Sequence, residues 1–451
     1  MIGTPSEGQR ASARHGRGRA AIPFALLLLA LGCASGPRAA VIHALEADEL
    51  DEALAAYERF REVDGADPEL LARIASNVLE RAALSEEASE RDAAFTQLRL
   101  AGRAGERVLE RLADREGVSV VRARALGALL RRSHSSARGY LYAMLDSDDP
   151  EIRAEALLAT DAEADRARLL EALIDASGGV RRVAAQVLRH AAPDAGVRLA
   201  LAEAARVDPE AKVRASATRS LAEFGVEAIE PLRERLGDPE ASVRLSAVDA
   251  IVRADRDRGL LAIAPLLGTQ TSASGIEAAR MLAITEGSPI AAGSTDARAY
   301  LRQALVTASA PLRAQAAVAL ISLPIDPALD EALFAALRAE SDPMARLGLA
   351  RALMRRPGGV ELATDALRAL LGEGGMPAVQ AAALLAARGE EGGLRLLEET
   401  LEADSALLRR VAARLLARDA RRPDATRAAL ADEDALVRIH AAGGILAAAH
   451  G

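Results

Sequence analysis

The sequence predicts an all-α fold, an α-solenoid built from stacked antiparallel helix pairs. Three observations carry that expectation. An apolar residue, an arginine, two variable residues and an alanine recur in steps of 28 to 36 residues, aligned on Val121, Ile152, Val180, Val213, Val243, Ile276, Leu312, Ala345, Val379, Leu408 and Val437. A period of that length marks stacked repeats, each too small to bury its apolar face alone. Half the residues are hydrophobic but only 2% are aromatic, and tryptophan is absent, so the core must be alanine and leucine, the residues of closely packed helices. Asp-Pro and glycine-rich turns separate the apolar stripes. At 451 residues two or three globular domains would be the default, but the period replaces them with one extended, quasi-one-dimensional body.

Taken in chain order, the first segment concerns address. Arg10, Arg14, Arg17 and Arg19 form a basic stretch, Ala20 to Leu31 is a nearly unbroken apolar run, and Ala30-Leu31-Gly32-Cys33 follows. A dozen apolar residues are too few to span a bilayer comfortably as a helix. Residues 1–32 resemble a bacterial lipoprotein signal peptide, although the typical order places leucine three residues before the cysteine, where Ala30 stands. The resemblance implies that Cys33, the single cysteine of the chain, is lipidated and becomes the N-terminus, with residues 33–43 as a lipidated tether. Because Ala34 is not aspartate, it also implies an outer-membrane lipoprotein facing the periplasm or the cell surface. The alternative is an ordinary secretory signal cleaved near Ala34-Ser35-Gly36 or at Ala39-Ala40, giving a soluble periplasmic or secreted protein. Residues 1–32 carry four arginines and one glutamate, so their removal takes the net charge from −8 to −11. An acidic protein is a poor fit to nucleic acid and to anionic headgroups, leaving acyl chains as the membrane anchor.

Residues 44–117 read as an N-terminal helical cap or a short helical-hairpin domain, with helices near 45–63, 68–84 and 89–113. Ala53, Tyr57, Phe60 and Asp67-Pro68 resemble the second helix of a tetratricopeptide repeat. Residues 118–451 form the array. Apolar, alanine and apolar residues recur at i, i+4 and i+8, as in Val121/Ala125/Leu129, Val180/Ala184/Leu188, Val213/Ala217/Leu221, Val243/Ala247/Ile251, Leu312/Ala316/Leu320, Leu408/Ala412/Leu416 and Val437/Ala441/Ile445, a helical stripe. The alanine belongs where two helix axes approach most closely. Asp148-Asp149-Pro150, Asp208-Pro209, Asp238-Pro239 and Asp342-Pro343 place a capping carboxylate and a proline at helix starts. The preceding helices are shorter and leucine-rich, with Pro231 and Pro265 expected to kink two of them. The copy at Ile276 is degenerate, with Glu277 in the arginine slot and an irregular connection from Thr285 to Thr295.

These phrases resemble HEAT repeats, in particular the short type found in phycobilisome lyases, and the resemblance implies a right-handed superhelix. The sharpest charged feature is the arginine column Arg122, Arg153, Arg181, Arg214, Arg244, Arg313, Arg346, Arg409 and Arg438. Arginine in a first helical turn opposes the macrodipole unless a carboxylate compensates it. Asp175, Asp208, Asp238, Asp404 and Asp432 precede their arginines by five or six residues, matching the Asp–Arg ladder that links neighbouring HEAT repeats. The column therefore reads as structural, not as a groove for acidic ligands.

No catalytic, cofactor-binding or metal site emerges. The histidines His15, His43, His134, His190, His440 and His450 lack ligand partners at helical spacing, and none precedes a glutamate, unlike the His-Glu pairs of HEAT-repeat di-iron hydroxylases. HEAT-like DNA glycosylases need a basic groove and aromatic residues, whereas this chain is acidic, poor in aromatics and free of tryptophan. The expected function is a non-catalytic protein–protein interaction scaffold of the cell envelope that binds no cofactor and no nucleic acid. The alternative is a helper subunit or lyase-like enzyme acting on a protein substrate.

Overall fold

A computed structural model describes residues 36–268, 270–284, 292–417 and 423–448. Among them every regular element is helical and there is no strand, and none of the helices is long and apolar enough to cross a membrane. The signal segment with Cys33, together with His15, His450 and the connection from Thr285 to residue 291, lies outside the described residues. The remainder of that connection, residues 292–295, begins helix Ala292–Thr307.

The chain divides into two compact units, one ending at Asp67 and the other starting at Pro68. The first is a helical hairpin of Pro37–Glu46 and Leu50–Asp64. Residues 37–43, expected as tether, are therefore helical, with Pro37 opening the helix and Val41 fully buried. Asp48 makes the turn in the left-handed region, φ 63°. Tyr57 stacks near Phe60 at 6.2 Å between centroids, and its hydroxyl donates to the Asp67 carbonyl at 3.1 Å.

The second unit is the solenoid. Its phrase-bearing helices are Val120–Leu130, Pro150–Ala156, Gly178–Leu188, Ala211–Leu221, Ala241–Ala254, Ala273–Ile284, Ala310–Leu320, Pro343–Leu353, Gly375–Ala386, Ala406–Leu416 and Ala435–Ala448. The central alanines Ala125, Ala156, Ala184, Ala217, Ala247, Ala316, Ala412 and Ala441 have no exposed surface, as close axial approach demands. Partner helices alternate with them, shorter in Ala137–Tyr142, Arg166–Ala172 and Ile229–Arg235 as expected, but longer in Ala195–Val207, Ala292–Thr307 and Pro327–Ala339. Pro231 is the third residue of Ile229–Arg235, where its missing N–H breaks no intrahelical bond, so it causes no kink. The break in that partner region is at Gly225, φ 61°. Pro265 sits in the 3₁₀ turn Ala264–Gly268 that ends Arg256–Ile263.

Two degenerate repeats sit one residue earlier than their sequence anchors. In Ala273–Ile284 the buried set is Ser274, Gly275, Ile276, Ala278, Ala279, Leu282 and Ala283, and in Gly375–Ala386 it is Ala378, Val379, Ala381, Ala382, Leu385 and Ala386; in each the i, i+4, i+8 stripe starts one residue before the sequence anchor. The anchors are thus Gly275 and Ala378, and Ile276 and Val379 occupy the arginine slot as buried apolar residues. Glu277 is not in that slot, and it pairs with Arg280 on its own helix.

The helices from Pro68 onward belong to the second unit. Pro68–Ala83 and Ala88–Leu100 pack on the closing helix Ala435–Ala448, in the manner of a next repeat. Ala88–Leu100 is followed by Gly102–Ala113, the break between them made by Gly102 at φ 60°. Through Gly102–Ala113 the pair continues into Val120–Leu130, so the second unit is a closed ring of repeats. The closing helix carries two consecutive glycines, Gly443 facing the seam and Gly444 the preceding repeat. A Cβ on Gly443 would lie 2.6 Å from the Cβ of the buried Gln97, and one on Gly444 would fall against Ala417, 3.0 Å from its Cα. Glycine inside a helix costs roughly 1 kcal/mol against alanine, and this pair is kept where both neighbours approach too closely for a side chain.

Candidate interaction surfaces of the helical array

The charged column forms rungs between successive repeats. Arg181 donates through Nε and Nη2 to both oxygens of Asp208, at 2.7 and 3.0 Å. Arg214 does the same to Asp238 at 3.0 and 3.0 Å, and Arg153 to Asp175 at 3.2 and 3.1 Å. Arg409 reaches Asp432 at 2.8 and 3.1 Å. Each arginine therefore grips the carboxylate of the next repeat, not the one six residues before it. To that nearer turn it gives its remaining nitrogen: Arg214 Nη1 donates to the Asp208 carbonyl at 2.9 Å, Arg244 Nη1 to that of Asp238 at 2.7 Å, and Arg438 Nη1 to that of Asp432 at 2.7 Å.

The turn carboxylates also order the backbone. Asp208 and Asp238 each accept from the N–H two residues on, Glu210 and Glu240, at 2.9 Å. These aspartates lie before the helix N-cap, so they shape the turn instead of capping the helix. Asp149 and Asp342 are true N-caps, accepting from Glu151 and Ala345 at 2.8 Å. Burial alone would raise the carboxyls of Asp208 and Asp238. The arginine and backbone hydrogen bonds outweigh it and hold both below the ordinary range.

Two rungs use glutamate. Arg313 grips Glu340 at 2.5 and 2.6 Å, and Arg346 pairs with Glu373. Glu340 stands six residues before Arg346, the same offset as the aspartates, so the position was legible had glutamate been admitted to the pattern. The ladder stops at the two shifted repeats. Arg244 meets no carboxylate among the described residues, and Asp404 stays exposed because the preceding repeat offers Val379 instead of arginine. Arg122 likewise bonds the carbonyls of Ala113 and Gly117, at 3.0 and 2.9 Å, and lies over the Tyr140 ring.

A polar cleft beside the Arg214–Asp238 rung is lined by Arg206, Asp208, Arg214, Glu234, Arg235 and Asp238. Its cations are paired internally: Arg206 with Glu203, Arg214 with Asp238 and Arg235 with Glu234. It is stacking structure with no charge left for a ligand. Among the described residues no group of three or more His, Cys, Asp or Glu could hold a metal ion. His134 pairs with Glu106, and His440 Nδ1 lies 2.6 Å from the Leu436 carbonyl.

What remains open is the inner wall. Consecutive phrase-bearing helices pack on one another around the ring, whereas their partner helices largely stand apart. In a curved two-layer stack the more closely spaced layer is the inner one, so the exposed faces of the phrase-bearing helices line the ring.

Sequence comparison matches residues 166–252 to the HEAT repeat family, the stretch that holds the rungs Arg181–Asp208 and Arg214–Asp238. Comparison with curated proteins gives no match. Among solved structures, UNC-45 from Drosophila melanogaster aligns over 94% of this chain and 77% of its own, at 15% identity and TM-score 0.37. YibA of E. coli aligns over 64% and 100%, at 16% identity and TM-score 0.36. The complex of CpcE and CpcF of phycocyanin lyase from Nostoc aligns over 59% and 92%, at 16% identity and TM-score 0.29.

Proposed function

We propose that this protein is a non-catalytic scaffold that binds other proteins on the inner wall of its repeat ring, held at the bacterial cell envelope by a lipid on Cys33. The observation that carries the binding reading is the division of labour among the arginines. Six of the nine column arginines bond a carboxylate of the next repeat, which stiffens the ring, and Arg122, Arg244 and Arg438 bond carbonyls of their own turns, while the inner helix faces remain exposed across many repeats. Stacked repeats of this kind provide extended surfaces suited to polypeptides. The anchor reading rests on the sequence of residues 10–33, and the acyl chains would supply the membrane affinity that an acidic surface does not.

Crosslinking in native membranes followed by affinity capture tests the first half: a protein partner crosslinked at inner-wall positions is expected, and a partner recovered with a new covalent modification would favour the enzyme alternative. For the second half, radioactive palmitate should label the wild type, and Cys33→Ser should release the protein without detergent. An unlabelled wild type would refute the lipid anchor.

A further inference from the structure

Three consecutive inner helices carry arginines on the side turned away from the outer layer. These are Arg182 on Gly178–Leu188 with Arg189 just past its end, Arg219 on Ala211–Leu221, and Arg253 on Ala241–Ala254. They follow the buried anchors Val180, Val213 and Val243 by two, nine, six and ten residues. At 3.6 residues per turn, those offsets put Arg182, Arg189 and Arg219 roughly opposite the buried stripe and Arg253 to one side of it.

They are distinct from the ladder and are not balanced as the ladder is. Arg182 makes no ion pair or side-chain hydrogen bond among the described residues. Arg219 has a neutral partner, donating from Nη1 to Ser246 Oγ at 3.1 Å. Arg253 donates to the backbone carbonyl of Arg219 at 3.1 Å, and pairs with Asp249 at 3.1 Å and with Glu223 at 3.7 Å. Glu223 is shared with Arg189 at 3.2 Å. Four guanidinium groups thus share two carboxylates on a chain whose net charge is −8. The Arg219 guanidinium is pushed below its ordinary value, first by burial and then by Arg182, Arg253 and Arg189. Gathering like charges without counter-charges opposes folding, and a surface keeps such a cluster where an external anion completes it.

We propose that Arg182 and Arg219, flanked by Arg189 and Arg253, are a docking point for an acidic polypeptide segment lying across three repeats of the inner wall. This rests on the scaffold reading above and specifies the chemistry of its partner. Carboxylates suit the site better than nucleic acid does. The three helices carry no aromatic residue on which bases could stack, and the acidic chain as a whole repels a polyanionic backbone.

The test uses the full chain and fluorescein-labelled decaglutamate, read by anisotropy. At low ionic strength the wild type should bind, with affinity falling as salt is added. The double variant Arg182→Gln/Arg219→Gln should bind about tenfold or more weakly, while Arg351→Gln, which alters an exposed arginine of a distant inner helix, should bind as the wild type does. Because the double variant relieves like-charge crowding, its thermal midpoint should be equal to or above that of the wild type, an outcome a structural role would not give. Three results would overturn the proposal: no decaglutamate binding at low salt, undiminished binding by the double variant, or tighter binding of a thymidine oligonucleotide of equal charge. A membrane partner captured equally by wild type and double variant would also refute this docking point and leave the scaffold reading standing. Loss of every captured partner with decaglutamate binding intact would refute the scaffold reading alone.

Discussion

Replacing Arg214 with alanine should cost more than replacing Arg244, although the two occupy the same slot of adjacent repeats. The Asp238 side chain is 2% exposed and that of Arg214 11%. Arg214→Ala would strand the carboxylate with only the Glu240 N–H as partner. Breaking a buried ion pair on one side costs about 3 to 5 kcal/mol. The rung lies close to the surface of the stack, so the lower end, about 3 kcal/mol, is expected. Arg244 donates to the carbonyls of Asp238 and Pro239, both at 2.7 Å, and touches no carboxylate. Its loss should cost about 1 kcal/mol, the net value of ordinary hydrogen bonds. A double-mutant cycle should therefore find coupling of about 2 kcal/mol between Arg214→Ala and Asp238→Ala, and less than about 0.5 kcal/mol between Arg244→Ala and Asp238→Ala. Urea unfolding gives the totals. Amide exchange locates the damage, which should concentrate in residues 195–254 because repeats lose stability locally. Coupling that is larger for Arg244 than for Arg214 would refute the assignment of rungs between repeats.

Gly443→Leu should open the seam, because its Cβ would lie 2.6 Å from that of Gln97. Overpacking of about 1 to 3 kcal/mol exceeds the gain of about 1 kcal/mol from removing a helical glycine, so exchange should rise in residues 68–100 and 435–448 while residues 166–252 stay protected, and uniform protection would contradict ring closure. His440 is held below its ordinary value by burial first, with Arg414 and Arg410 adding to it against the Leu436 carbonyl. Its folded-state pKa lies under the unfolded one, so its contribution is fully present above about pH 6.5 and fades as the pH falls toward the folded value. His440→Gln should flatten the stability profile just below pH 6.5, and an unchanged slope there would exclude His440 as its source. The carboxyls of Asp208, Asp238 and Glu340, all lowered in the folded state, should add a second loss below about pH 4, measurable by acid titration of the thermal midpoint.

The array was legible because its period rests on the steric demand for alanine at each close crossing, a local property that survives in one sequence. The ladder was legible where aspartate and arginine kept their offset, as at Asp175, Asp208, Asp238 and Asp432. Its connectivity was not, since an offset of six within one repeat looks like a pair, whereas stacking brings that aspartate to the arginine of the repeat before. Asp238 with Arg244 was the natural reading, and Asp238 with Arg214 is the bond. Register slipped at Ile276 and Val379 because an apolar residue in the arginine slot imitates the anchor. Closure left almost no trace in the sequence, because it depends on curvature accumulated over every repeat. Only Gly443, a glycine inside a strong helix pattern, lies at the place.

An open stack can gain or lose one unit and give up a single interface. The joint between Ala435–Ala448 and the pair beginning at Pro68 removes that freedom. The units together complete one closed circuit, so a duplicated or deleted unit would bring the last helix out of register with the first. The number of repeats is thereby a property of the whole molecule, and lineages carrying this ring should change in loop length and surface residues while keeping their copy number constant.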